Sequence, residues 1–130
     1  MRAEIYAALA TDAGLRSLGL GEDSVYAAES VEDPPLRPFI VIRWQPTLPG
    51  MGPSLRNSFD VWVQDDPGDF ARIDAMLFRV KSVLVSLTGT LTDSGYLTLV
   101  DWLEDSADQR DDVWGTINRR ASFLAIGAGR

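Results

Sequence analysis

"NSFDVWVQDDPGDFARIDAMLFRVKSVLVSL", residues 57–87, changes its hydrophobic period halfway along. Over 57–64, Phe59, Val61 and Val63 alternate with Asp60, Trp62 and Gln64, the two-residue repeat of a strand. From Phe70 the repeat becomes helical. Phe70, Ile73, Met76, Leu77, Val80, Val83, Leu84 and Leu87 form one wide apolar stripe, with Arg72, Asp74, Arg79 and Lys81 on the other side. At the junction Asp66 is placed to cap the helix, Pro67 to fill its first position and Asp69 to put negative charge in its first turn. The spacing therefore predicts a strand followed by a long helix within 65–87.

Upstream, residues 3–10 read as a short helix with Ile5, Ala8 and Leu9 on one face. Thr11 or Asp12 can cap a second turn, "DAGLRSL", which Gly19 and Gly21 end. Residues 24–29 read as a brief strand, and the prolines of "ESVEDPPLRP" mark a loop. "FIVIRWQ", 39–45, is β-branched and aromatic on both faces, as in a central strand. It should pair antiparallel with 57–64 across a long, exposed, mobile loop, "PTLPGMGPSLR", 46–56. Downstream, 96–104 and 113–126 read as strands joined by the polar turn "ADQRDD", and the tail "GAGR" reads as frayed. The order helix, strands, helix, strands predicts one α+β domain over 1–130. Its expected form is a mainly antiparallel sheet of about four to five strands, with a long helix on one face and a short N-terminal helix.

Composition narrows the chemistry. The 130 residues contain no cysteine and no histidine, which removes thiolate and imidazole metal sites, Cys nucleophiles and the Ser-His-Asp arrangement. A formal net charge of −7 opposes binding to duplex nucleic acid or to an anionic membrane surface. No long apolar run suits a membrane span, and "MRAEIYAALA" lacks the features of a signal peptide, so a soluble, intracellularly made chain is expected. Lys81 is the sole lysine against eleven arginines; arginine favours interfaces, but a GC-rich coding source gives the same bias.

Five carboxylates, Glu104, Asp105, Asp108, Asp111 and Asp112, crowd into nine positions. Such groups could hold Mg²⁺ or Ca²⁺ for a hydrolase. The run lacks the spacing of a calcium loop, and a solvated acidic turn is the favoured reading. Gly19-Leu20-Gly21 and Gly50-Met51-Gly52 lack the third glycine or the lysine of a phosphate cradle. Lys81 lies on a polar helix side and reads as solvated rather than nucleophilic. Asp60 and Asp101 are expected to pair with Arg43, Arg119 or Arg120 across the sheet. Trp44, Trp62, Trp102 and Trp114 lie in or beside the best strands. Two readings of them stay open: packing in the core, or a second surface buried by another subunit.

"LRPFIVIRW", "FDVWVQDDPGDFARIDAMLFRVKSVL" and "WLEDSADQRDDVWGTINRRASFLA" together cover much of the chain. In their order and texture they resemble the tail terminator (tail completion) proteins of long-tailed siphophages, particularly those infecting actinobacteria. That resemblance implies a structural virion protein, not an enzyme, with no metal or cofactor. It would be assembled in the bacterial host cytoplasm and sit in the tail. It would cap the head-proximal end of the tail tube as a ring, usually a hexamer. Its partners would be copies of itself, the major tail tube protein and a head–tail connector or neck protein, with DNA only passing through the lumen. Interface candidates are Trp44, Leu48, Met51, Leu55, Arg56, Trp62, Trp114, Arg119 and Arg120, with loop 46–56 ordering on contact. Glu104, Asp105, Asp108, Asp111 and Asp112 are candidates to line an acidic lumen that repels phosphates. Alternatives are another neck component of similar fold, a metal-dependent hydrolase centred on 104–112, and a small binding module.

Overall fold

A computed structural model describes residues 2–28, 36–46, 48–49, 54–92 and 95–129. Within these, helices α1 (Arg2–Thr11), α2 (Ala13–Ser17) and α3 (Ala71–Val85) accompany eight strands. The strands are β1 (Val25–Ala27), β2 (Phe39–Trp44), β3 (Leu48–Pro49), β4 (Ser54–Asp65), β5 (Thr90–Thr92), β6 (Gly95–Asp105), β7 (Gln109–Asp111) and β8 (Thr116–Gly129).

One sheet contains them all, in the order β1-β2-β4-β8-β6-β5, with β3 beside β4 and β7 beside β8. Only β1 runs parallel to its neighbour; the other pairs are antiparallel. The α+β class holds, but the sheet has eight strands where four to five were expected. The brief strand expected over 24–29 is present as β1, whereas the short strands β5 and β7 and the two-residue β3 carry too little hydrophobic alternation to stand out in sequence. The long pair β4 and β8 forms the spine: β4 matches β8 from Ser54↔Ala128 to Asp65↔Ile117.

That pairing overturns two expectations about loops. The segment read as a mobile loop, 46–56, contains β3 and the start of β4, with Leu48 opposite Arg56. The tail read as frayed is strand through Gly129, because Gly127 and Ala128 pair with β4 on one side and β6 on the other. A glycine-rich segment between two partners keeps its ladder despite weak propensity.

The helices cover one sheet face. Ile5, Leu9, Leu15, Ile73, Met76, Leu77, Val80 and Leu84 are buried against Ile40, Ile42, Val61, Val63, Leu97, Val100 and Ala125. At the centre Phe59 lies between Trp44 (centroids 4.6 Å apart) and Phe123 (5.4 Å), both stacked.

Local capping explains the helix bounds. Asp12 accepts from the Leu15 N–H at 2.9 Å and starts α2. Gly19, at φ 106°, ends it by letting Leu20 N–H reach the Leu15 carbonyl and Gly19 N–H reach that of Arg16. By contrast, α3 is shorter than the periodicity predicts and does not use Asp66 as its cap. Asp65 is buried and takes two bonds from Arg72, at 2.7 and 2.6 Å, while Asp66 faces Arg37 at 3.2 Å. The segment 66–70 bends before the helix, and Asp69 accepts from the Ala71 N–H at its first residue.

Candidate interaction surface

The sheet has a second face, on which no helix lies among the described residues. Strand alternation sends Val41 and Arg43 of β2, Asp60, Trp62 and Gln64 of β4, and Asn118, Arg120 and Ser122 of β8 to that side. Clean alternation in β4 thus meant apolar side chains under the helices and polar ones opposite. The surprise is how buried the opposite residues are: Asp60, Gln64, Asn118 and Ser122 are all buried.

Two side-chain networks pair most of their polar atoms. In the first, the Ser122 hydroxyl donates to Asp60 at 2.6 Å, Gln45 donates to the other Asp60 oxygen at 3.2 Å, and Arg120 bonds Ser122 at 2.9 Å and lies 3.5 Å from Asp60. The expected pairing of Asp60 with Arg120 is therefore present. Asp101 is exposed and Arg119 turns instead to Asp74 and Asp108. In the second network, the Thr116 hydroxyl donates to Gln64 Oε1 at 2.5 Å, and Asn118 Nδ2 lies 3.4 Å from the same oxygen.

Between these networks stands Trp62, half-buried, with the Arg120 guanidinium 5.7 Å from its ring centroid. Beside it opens a cleft of about 630 Å³ walled by Val41, Trp62 and Trp114, with Arg43 and Arg110 among its lining and the buried Gln64 and Asn118 behind. The turn that carries Trp114 is fixed over the sheet. Asp111 Oδ1 accepts from the N–H groups of Val113 and Trp114, Arg37 donates to the Trp114 carbonyl, and the Trp114 ring meets Phe39 edge-on at 5.3 Å. Asn118 Oδ1 is buried without a hydrogen-bond partner.

The four tryptophans divide between the two readings left open by the sequence. Trp44 is 8 % exposed and stacked on Phe59 within the core. Trp62 and Trp114 face the cleft. Trp102, 43 % exposed, lies at the other margin of the sheet, where Lys81 Nζ sits 4.5 Å from its ring centroid. Of the remaining interface candidates, Arg56 is exposed, Arg119 and Arg120 are engaged as above, Leu48 and Leu55 lie on paired strands β3 and β4, and Met51 is outside the described residues.

The acidic run is dispersed rather than convergent. Asp105 accepts from Lys81 at 2.6 Å and from the Trp102 indole N–H at 3.0 Å. Asp108 pairs with Arg119 at 3.3 Å, Asp112 with Arg110 at 3.4 Å and Glu104 with Arg120 at 3.9 Å, while Asp111 builds the turn. Among the described residues no three acidic side chains are grouped to hold a metal ion. The expected polar turn at 107–112 also contains strand β7, which pairs with the start of β8.

Sequence reasoning missed one exposed aromatic. Phe78 on α3 is 77 % exposed, on the side that also carries Lys81 and Val85. Its signal was present: an aromatic residue standing outside the apolar stripe, among charged neighbours.

No family model matches this chain, and no curated protein does either. Among solved structures, the chain is similar to one from the virion of a native gene transfer agent (GTA) particle, with 23 % identity and a TM-score of 0.75. The alignment covers 99 % of this chain and 95 % of that one. The two share a fold over essentially their whole lengths.

Proposed function

We propose that this protein is a structural subunit of a phage-type virion. It acts by surface contact as a tail-terminator ring that caps the head-proximal end of the tail tube and presents the joining surface for the head. The single observation that carries the reading is the full-length fold likeness to a chain of a virion particle. It agrees with the sequence resemblance drawn from the strand–helix segment 59–84 and the acidic segment 102–125. Against the hydrolase reading, among the described residues no three acidic side chains are grouped to hold a metal ion.

In this reading the ring is a hexamer of this chain, with the tail tube protein on one side and a neck protein on the other. A closed ring uses different patches on each copy. Glu104, Asp108 and Asp112, the most exposed of the acidic run, face the lumen and keep passing DNA from sticking.

The test is electron microscopy of particles made without the protein. A terminator's loss leaves tubes that grow past their normal length and stay unjoined to heads. Tails of normal length that lack heads would instead assign the chain to the neck, and finished, joined tails would refute both roles.

A further inference from the structure

One margin of the sheet is open along β6. Strand β5 covers β6 only from Gly95 to Leu97. Next to it, the Thr88 hydroxyl bonds both the N–H and the C=O of Val100, at 3.0 and 3.1 Å, on the side away from β8. Backbone groups along a strand turn alternately to its two sides, so the N–H and C=O of Trp102 turn the same way as those of Val100. Among the described residues no strand lies there. Residues 101–104 are all exposed, on both faces of the strand, which is the burial pattern of an unpaired edge.

The two faces of this edge differ in character. Val100 is buried under the helices, so Trp102 shares the helix side and Asp101 takes the other. On the helix side, Lys81 of α3 bonds Asp105 and lies 4.5 Å from the Trp102 ring centroid. Phe78 and Val85, one turn to either side of Lys81, are exposed. With Trp102 they form an apolar ledge beside the unpaired backbone, the kind of surface that marks an interaction site. The other side is negative. Asp101 makes no ion pair with any described residue, and Glu104 has only Arg120, at 3.9 Å, which it shares with Asp60.

An open edge invites pairing with a second copy, and acidic side chains oppose that here. Two copies joined along 101–105 would each bring Asp101, Glu104 and Asp105 to the ribbon, and the stretch holds no basic residue. Like charges facing each other across strands are destabilising, whereas opposite charges stabilise. The same carboxylates that reject a second copy therefore select a strand of positive charge.

We infer that this edge takes up an extended segment of a different protein, in which apolar residues alternate with arginine or lysine. The backbone of that segment pairs with β6 at Trp102. Its apolar side chains lie on the ledge of Phe78, Val85 and Trp102, and its basic side chains meet Asp101 and Glu104. Of the acidic residues set in the lumen above, Asp108 and Asp112 lie beyond the paired stretch and Glu104 at its end. The inference holds whether or not the chain closes into a ring.

The test adds a capped hexapeptide of alternating valine and arginine to the full chain and follows backbone amides by NMR. Saturable shifts and slowed hydrogen exchange centred on Trp102 are expected. Methylating the peptide's backbone amides, which keeps its side chains and charge, should abolish them, and so should glutamate in place of arginine. Asp101→Asn with Glu104→Gln, both at exposed positions, should weaken binding roughly 2- to 30-fold, the loss of two cross-strand ion pairs. Absence of saturable binding, equal binding of the methylated peptide, or shifts centred on the Trp62–Trp114 cleft would overturn the inference. So would protection of the Trp102 amide that grows with the concentration of the chain alone, because a second copy would then be the occupant.

Discussion

Replacing Phe59 by leucine should show how much of the fold depends on one aromatic stack. Phe59 is fully buried and sits between Trp44 and Phe123, with interplanar angles of 30° and 16°. Each aromatic pair is worth about 0.5–1.5 kcal/mol beyond its area, and the change of shape in a close-packed core adds about 1 kcal/mol. The sum is roughly 2–4 kcal/mol, a large share of the ~5–15 kcal/mol that holds a typical domain together. For a chain of this length each kcal/mol moves the midpoint by roughly 3–5 °C, so Tm should fall by about 6–20 °C. Urea unfolding of the wild type, Phe59→Leu, Phe123→Leu and the double variant gives the Phe59–Phe123 coupling directly. We expect about 1 kcal/mol. A coupling below about 0.3 kcal/mol, within the scatter of independent sites, would mean that the rings contribute only as buried area and that the stacking argument is wrong.

Asp12 joins a helix cap to an ion pair, since it accepts from Leu15 N–H and takes two bonds from Arg79, at 2.8 and 2.7 Å. Its carboxyl is held below the usual range, chiefly by the Arg79 hydrogen bonds and against the opposing effect of burial. Its stabilisation is therefore full above the unfolded value near about pH 4 and is lost as pH falls through the folded value. Asp12→Ala should cost about 1 kcal/mol for the cap alone, with Asp12→Asn intermediate. The gap between wild type and Asp12→Asn should close in acid, and a gap unchanged from neutral pH to strong acid would refute the assignment. Gln64→Leu strands the buried Thr116 hydroxyl and Asn118 amide, at a cost of about 1–3 kcal/mol. Adding Thr116→Val should recover part of that loss, and simple additivity by denaturant titration would count against a shared network. Calorimetry with Mg²⁺, Mn²⁺ or Ca²⁺ should show no tight stoichiometric binding, since among the described residues the acidic side chains of 104–112 do not converge on one point. Such binding, abolished by Asp108→Asn with Asp112→Asn, would revive the hydrolase.

The sequence by itself determined the features that depend on near neighbours. The alternation of Phe59, Val61 and Val63, the α3 stripe and the Asp12 cap each follow from side-chain periodicity or local hydrogen bonding, and each is present. The exclusion of thiolate and imidazole chemistry needs only a count of residues. What the tertiary structure decided depends on partners distant in the chain. Gly127 and Ala128 are strand because β4 and β6 flank them, and α3 starts late because Asp65 is held by Arg72. The acidic run disperses because Lys81, Arg110, Arg119 and Arg120 draw its members in different directions. Trp44 and Trp62 are both strand tryptophans, the first between Arg43 and Gln45 and the second between Val61 and Val63. One turns under the helices and the other toward the open cleft, because register with β4 and β8, a long-range property, assigns each side chain its face.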